Sequence, residues 1–166
     1  MFIVITLLII FVPMLIEARR SARNERVQRA RGGVEPPDDV YGLMRIAYPA
    51  CFLAMTAEGA LREPSAAAIL IGTLVFAAGK AIKWWAILSL GQYWTFKVIA
   101  VPGAPLVTTG PYRFLRHPNY VGVVGELVGV AIMTRASVSG PLAAALFVVL
   151  LWRRIGAEER ALHLRG

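Results

Sequence analysis

Two short segments in the C-terminal half of the chain concentrate the side chains that could perform chemistry. The first, residues 110–120, reads GPYRFLRHPNY and combines aromatic rings, an imidazole and two guanidinium groups with two prolines. Because proline restricts φ, such a loop loses less entropy when it becomes ordered. Its side chains are suited to stacking against an adenine ring and to holding a carboxylate. An interfacial loop that only anchors a helix has the same composition, so both interpretations stay open.

The second segment, residues 153–162, reads RRIGAEERAL. Arg154 and Glu158 are four residues apart, so they share one face of a helix. They are either an ordinary surface ion pair or a functional pair. In the second case the cation would bind an acidic substrate group and the anion would bind an ammonium group or a ribose. Spacing alone does not decide between them.

Other reactive side chains are few. Glu126 lies inside an apolar stretch, where a carboxylate is costly and marks a functional candidate, although it could also pair with a loop arginine. Cys51 is the single cysteine, so with two histidines it predicts neither an intrachain disulfide nor a metal site. His163 is interpreted as incidental. The chain contains no Gly-x-Gly-x-x-Gly, His-Glu-x-x-His or Gly-x-Ser-x-Gly motif, which disfavours the corresponding soluble enzymes.

The elements that must position these segments are apolar helices. The residues are 57% hydrophobic and the mean hydropathy is +0.61, which is high for a soluble domain. A helix needs about 20 apolar residues to cross a bilayer. The sequence predicts five spans, at residues 1–16, 40–61, 65–90, 120–134 and 141–152. The first is interpreted as a retained membrane helix, because it lacks the basic N-terminal region and the small-residue cleavage site of a signal peptide.

The connections between the spans differ in character. Residues 17–31 carry six arginines and are predicted to be a solvated loop, with a short surface helix against anionic lipid as the alternative. Residues 91–118 are rich in glycine and proline, so they must lie in water or be buried in protein. Lys80 and Lys83 precede Trp84-Trp85 and indicate a membrane interface. Gly125 and Gly129 predict a close helix approach.

Charge predicts the orientation in the membrane. The net charge is +8, but the arginines sit between apolar runs, which favours a membrane protein over a nucleic-acid-binding protein. With residues 17–31 in the cytoplasm, the N-terminus lies outside and the C-terminus inside. Residues 91–118 and 153–162 then share the cytoplasmic side, and a hairpin of the last two spans brings the two chemical segments together. We divide the chain into residues 1–63, N-terminal helices with the basic loop, and residues 64–166, the core.

The chemical segments also resemble a known family. Residues 106–122, LVTTGPYRFLRHPNYVG, resemble the signature of the isoprenylcysteine carboxyl methyltransferase family, and residues 154–162 resemble its second signature. Residues 84–94, WWAILSLGQYW, resemble the lead-in of bacterial members. Family members usually continue past the second signature with a further aromatic segment, whereas this chain stops at Gly166.

The resemblance implies an all-α, polytopic integral membrane protein. It implies about five transmembrane helices, a C-terminal helical hairpin and a cytoplasmic site for S-adenosylmethionine. Arg154 and Glu158 would be the catalytic residues, with Arg154 holding the substrate carboxylate. The residues implied to line the cofactor pocket are Ala104, Pro105, Leu106, Val107, Tyr112, His117, Pro118, Asn119, Tyr120 and Glu158.

The reaction implied is carboxyl O-methylation of a lipophilic acceptor, a prenylated substrate or a lipophilic small molecule, among membrane lipids and without nucleic acid. A carboxylate is already nucleophilic, so positioning and the exclusion of water suffice. A phenol or an enol would need a base, for which Glu158 or His117 is the candidate. The alternatives are a methyltransferase of a small lipid, polyketide or phospholipid, a sterol-reductase-like NADPH enzyme, and a non-enzymatic membrane scaffold.

Overall fold

The computed structural model describes residues 1–63 and 65–162, and helices dominate this part of the chain. No β-strand occurs within it beyond one isolated antiparallel bridge between Val34 and Ala100. Pro64, and His163 with the three residues after it, lie outside the described residues. The all-α class and the five helices are confirmed: α1 Phe2–Ala30, α2 Tyr41–Ala60, α3 Ala66–Leu90, α4 Pro118–Thr134 and α5 Ser139–Ala161.

Among the described residues, three stretches are long and apolar enough to cross a membrane, namely Phe2–Ala30, Ala66–Tyr93 and Ser139–Ala161. Helix α4 is apolar but shorter. With 29 residues at 1.5 Å per residue, α1 is about 43 Å long, which exceeds the roughly 30 Å of a hydrocarbon core. These helices are those of an integral membrane protein. The full set of five spans and the sidedness stay predictions.

The prediction of a solvated loop at residues 17–31 is wrong, because α1 continues unbroken to Ala30. Short polar side chains recur at helical spacing along one face of α1 and are buried against the rest of the protein. The exposed arginines Arg19, Arg23 and Arg26 point away from that face. The backbone leaves the helical conformation only after Ala30, and Gly32 then has a positive φ of 80°. We call the buried residues the polar stripe: Glu17, Ser21, Asn24 and Gln28.

Helix α5 is longer than the predicted span 141–152, and a carboxylate from α2 caps its first turn. Glu58 accepts hydrogen bonds from the backbone nitrogen of Ser139 at 2.7 Å and of Val138 at 3.1 Å. Its negative charge also suits the N-terminal end of a helix. At the other end, α5 continues to Ala161, so Arg154 and Glu158 lie on one continuous helix as predicted.

Helices α3 and α4 pack with their backbones almost in contact. A Cβ atom on Gly129 would lie 2.4 Å from the backbone nitrogen of Phe76, and one on Gly125 would lie 2.9 Å from the Cα atom of Gly79. Neither position has room for a methyl group. The predicted close approach at Gly125 and Gly129 is confirmed, and Gly72, Gly79 and Gly122 extend it along the interface.

Gly129→Ala should therefore lower the thermal stability of the protein in detergent. The added methyl group meets backbone atoms that cannot move independently, and overpacking of this kind costs about 1–3 kcal/mol. The matched control is Gly42→Ala in the first turn of α2, where a Cβ atom meets nothing within 4 Å. The control should be neutral or slightly stabilising, since alanine favours helices more than glycine does. Equal melting temperatures for the two variants would contradict the packing described here.

Candidate functional site

A cavity of about 500 Å³ lies between α1, α2, α5 and the irregular segment 91–118. This volume is in the range of small-molecule sites. One part of its wall is polar and includes His117, Tyr120 and Glu158. Another part is apolar, formed by Met14, Leu15, Met44, Pro49 and Phe147.

The hairpin of α4 and α5 joins the two chemical segments at the polar part of this wall. The Tyr120 hydroxyl donates a hydrogen bond to Glu158 Oε2 at 2.6 Å. His117 Nδ1 lies 3.6 Å from the same oxygen, and its Nε2 lies 3.3 Å from Glu159 Oε1. The rings of His117 and Tyr120 stack with their centroids 5.6 Å apart. The predicted meeting of the two segments is therefore confirmed.

The surroundings of His117 change its protonation. Burial alone would lower the pKa of the imidazole, but the carboxylates of Glu158 and Glu159 favour the charged form. Their combined effect is greater, and the pKa of His117 is raised above its usual 6.5. The imidazole therefore holds a proton at a higher pH than a free histidine does, and in this form it balances part of the local negative charge.

The Arg154 side chain is buried, and each of its three guanidinium nitrogens donates a hydrogen bond. Its Nε donates to the Tyr120 hydroxyl at 3.1 Å and its Nη1 donates to Asp39 Oδ1 at 2.5 Å. Its Nη2 donates to the carbonyl of Phe96. A guanidinium has five N–H donors, so two remain for a ligand. The predicted contact with a substrate carboxylate would therefore use those donors or displace Asp39, and it stays a prediction.

Asp39 is a residue of this site that the sequence reasoning missed. Besides Arg154, it accepts hydrogen bonds from the backbone nitrogens of Tyr41 at 3.0 Å and Val98 at 2.8 Å. It precedes α2, outside both signature segments. A usable signal was the acidic pair Asp38-Asp39 in a basic region, since Asp38 forms an ion pair with Arg160, another arginine of α5.

The polar stripe of α1 holds the irregular segment against the helices. The Ser21 hydroxyl accepts from the Phe96 backbone nitrogen at 2.8 Å. The Asn24 amide donates to the carbonyls of Gly91 at 2.9 Å and Trp94 at 2.8 Å. Gln28 likewise donates to the carbonyl of Gln92 at 2.9 Å. These side chains give the irregular backbone the hydrogen bonds that it lacks from regular structure.

Nearly all the residues predicted to bind cofactor or substrate lie on this cavity. Pro118 is the exception, because it is buried at the first position of α4 and does not form part of the wall. Asn119 Oδ1 accepts a hydrogen bond from Trp94 Nε1 at 3.3 Å. Their binding roles remain predictions. The predicted residues in the wall are Ala104, Pro105, Leu106, Val107, Tyr112, His117, Asn119, Tyr120, Arg154 and Glu158.

Four charged side chains meet beside the cavity, and we call them the charged quartet: Glu17, Lys80, Lys83 and Glu126. Lys80 Nζ lies 3.0 Å from Glu17 and 2.7 Å from Glu126. Lys83 Nζ lies 2.8 Å from Glu17 and 3.3 Å from Glu126. The Tyr48 hydroxyl also donates to Glu126 at 2.8 Å.

The quartet bears on two interpretations of the sequence. Lys80 and Lys83 extend into the protein and not to its surface, since only 14% and 3% of their side chains are exposed, and the membrane interface at this end of α3 stays a prediction. Glu126 does not pair with a loop arginine, because the lysines of α3 are closer partners. The close packing of the glycines explains both results: Gly122 contacts the Lys83 side chain, which brings α4 onto the lysine face of α3.

The chain is similar to several known proteins, and the similarity to a described family lies in its second half. A family model described as the isoprenylcysteine carboxyl methyltransferase (ICMT) family matches residues 70–164. Uncharacterized protein YpbQ of Bacillus subtilis is 32% identical over 157 residues, which cover 93% of each chain. An uncharacterized protein of Haemophilus influenzae is 28% identical over 149 residues, 87% of this chain and 86% of its own.

A plant enzyme is similar over a shorter region. Protein-S-isoprenylcysteine O-methyltransferase A of Arabidopsis thaliana is 34% identical over 98 residues. The match covers 55% of this chain and 48% of the plant protein, so it spans about half the length of that relative. No solved structure matches the chain significantly.

The raised pKa of His117 predicts a pH-dependent stability. A group with a raised folded-state pKa stabilises the fold fully below its unfolded pKa of about 6.5, and this contribution is lost as the pH rises through the folded value. The difference in melting temperature between the native protein and His117→Gln should thus be larger at about pH 5.5, where the contribution is present, than at about pH 9, after the pH has risen towards and through the raised folded-state pKa. Thermal unfolding across this range measures it. A difference that does not vary with pH would contradict the role of the imidazolium.

Asp39→Asn should destabilise the protein strongly, because it leaves the buried Arg154 without its countercharge. Breaking one side of a buried ion pair costs on the order of 3–5 kcal/mol, and an isosteric amide keeps only part of the hydrogen bonding. The matched control is Asp38→Asn, whose partner Arg160 is mostly exposed, and it should change stability little. The measurement is thermal unfolding in detergent. Equal effects of the two variants would show that Arg154 does not depend on Asp39.

Proposed function

This chain belongs to the isoprenylcysteine carboxyl methyltransferase family, and from that membership we propose that it transfers a methyl group from S-adenosylmethionine to a lipophilic acceptor at the membrane. The observation that carries the proposal is the meeting of both signature segments on one cavity, through Tyr120, His117 and Glu158. Family membership argues against a sterol-reductase-like enzyme and against a scaffold without activity.

The polar part of the wall fits S-adenosylmethionine chemically. Glu158 offers a carboxylate that can accept from ribose hydroxyls or from an ammonium group. The rings of Tyr112, His117 and Tyr120 offer faces for an adenine, and the backbone of residues 104–107 completes this side of the wall. When bound, this cofactor supplies a methyl group on a positively charged sulfur, and the nearby carboxylates suit that charge.

The acceptor we propose first is a carboxylate attached to an apolar chain. Its oxygen is nucleophilic without a strong base and would form a bond to the methyl carbon as the carbon–sulfur bond breaks, giving a methyl ester and a neutral thioether as the leaving group. The two unspent N–H donors of Arg154 would orient the carboxylate, and Asp39 would hold the guanidinium in place. The protein then accelerates the reaction by positioning the reactants and by excluding water.

The apolar part of the wall suits the rest of such an acceptor. Met14 and Leu15 of α1 and Met44 and Pro49 of α2 border the cavity, with Phe147 of α5 behind them. A hydrocarbon chain that moves there from water is stabilised by roughly 25 cal/mol per Å² of buried apolar surface. Acceptor selectivity would then depend on α1 and α2, which precede the residues 70–164 that the family model matches.

Calorimetric titration of the purified protein in nanodiscs with S-adenosylmethionine and S-adenosylhomocysteine tests the cofactor assignment. Saturable binding of both is expected, and it should weaken about tenfold or more in Glu158→Gln and in His117→Ala, a loss of about 1.4 kcal/mol or more. Asp38 lies outside the cavity wall, so Asp38→Asn should bind both ligands with the affinity of the native protein. Binding of NADPH in place of the sulfonium pair would overturn the proposal and favour a reductase.

A further inference from the structure

The charged quartet presents one cation and one anion to the cavity. Glu17 and Lys83 form part of the wall, together with Tyr48, whereas Lys80 and Glu126 lie behind them and outside the wall. Ionisable side chains buried among membrane helices are costly and mark functional sites by default. The proposed cofactor site uses none of these four, so the quartet needs an explanation of its own.

The two residues that face the cavity retain hydrogen-bonding capacity. Glu17 is fully buried, and its Oε2 accepts no well-directed hydrogen bond among the described residues, although Lys83 Nζ lies 2.8 Å away. The Lys83 ammonium has three N–H donors, and in the part of the chain that the structure describes two carboxylate oxygens lie within ion-pair distance of it. By contrast, Lys80 hydrogen-bonds to both carboxylates at normal distances. Glu126 Oε1 also lacks a well-directed hydrogen bond, but Glu126 lies outside the wall, so of the four residues Glu17 and Lys83 are the two that can offer this capacity to the cavity.

The charge balance of the quartet restricts what can bind there. Two lysines and two glutamates neutralise one another, and a charged group added to a site of low polarity would leave an unbalanced charge. An uncharged group that both donates and accepts a hydrogen bond leaves the balance intact. It would donate to Glu17 Oε2 and accept from Lys83 Nζ. A hydroxyl and an amide both meet this requirement.

The pair also lies close to the proposed reaction site. Glu17 is four residues from Ser21, about 6 Å along the axis of α1. Ser21 binds the backbone nitrogen of Phe96, and the carbonyl of Phe96 accepts from Arg154. A ligand that contacts Arg154 can thus reach the quartet within the same cavity.

We propose that Glu17 and Lys83 form a polar subsite that binds an uncharged hydroxyl or amide group of the lipophilic acceptor. Its hydrocarbon part lies against Met14, Met44 and the other apolar residues of the wall. This inference rests on the proposed function, because the occupant is the methyl acceptor. It adds a class of acceptor: an amphiphile with an uncharged hydrogen-bonding group beside its reactive group.

Photolabelling of the full chain in nanodiscs tests the subsite. Four probes share one diazirine-bearing alkyl tail and end in a hydroxyl, a secondary amide, a carboxylate or a methyl group. The hydroxyl or the amide probe should label the cavity wall with about tenfold higher apparent affinity than the methyl-ended probe, and the better of the two identifies the group. Equal labelling by these probes would overturn the inference, as would carboxylate labelling that depends on Lys83.

The quartet itself supplies matched control variants. Lys83→Arg and Lys80→Arg both keep the charge balance, so both are expected to fold, but only Lys83 faces the cavity. Lys83→Arg should weaken labelling by the uncharged polar probe about fivefold or more, and Lys80→Arg should change it less than about twofold. Glu17→Gln and Glu126→Gln form a second pair with the same expectation. Equal losses within each pair would mean that the quartet only supports the fold.

Binding of S-adenosylmethionine to the same samples separates the two proposals. Normal cofactor binding, together with probe labelling that is unchanged in Glu17→Gln and Lys83→Arg, would overturn the subsite proposal alone. Absence of cofactor binding with labelling that depends on Lys83 would overturn the methyltransferase proposal and leave the subsite as a lipid-binding site. Labelling that depends on Glu17 and Lys83, together with unchanged cofactor binding in the Lys83→Arg protein, would support both.

Discussion

The hydrogen bonds between the polar stripe of α1 and the backbone of residues 91–118 hold the cavity wall in place. An irregular segment packed against membrane helices has few regular partners for its amides and carbonyls, and unpaired groups there are expensive. Ser21, Asn24 and Gln28 supply those partners. Phe96, fixed in this way, offers its carbonyl to Arg154, so the N-terminal helix determines the position of a residue of the second signature.

The sequence is informative where a pattern is local. Glycine and proline mark the ends of α1 and α3 and the whole of segment 91–118, and the two signatures flank a short hairpin, so their meeting follows from chain geometry. The polar half of α1 was misread because six arginines dominate its composition. The signal lay in the short polar residues between them, which recur at spacings of four and three and point to the protein interior.

Contacts between side chains that are far apart in the sequence cannot be predicted from local patterns. Asp39 and Arg154 are 115 residues apart, and although the acidic pair Asp38-Asp39 indicates basic partners, nothing in either neighbourhood specifies which arginine each aspartate meets. The lysines of α3 are a similar case. Next to two tryptophans they have the composition of an interface, and only the contact between glycine backbones reveals that α4 brings a glutamate onto them. The residues of each signature could be recognised because they are contiguous in the sequence. The residues that support them, such as Asp39, lie far away in the sequence and could not be recognised in this way.

The charged quartet has a consequence for how the protein enters the membrane. Glu17 leaves the ribosome on the first helix, whereas Lys80, which neutralises it, follows 63 residues later. Until α3 has been synthesised, α1 carries a carboxylate without its countercharge, and full insertion of that turn is unfavourable. The ion pairs of Glu17 can therefore form only after α3 has been synthesised, so the cavity, which Glu17 and Lys83 both line, is not completed by the N-terminal helices on their own.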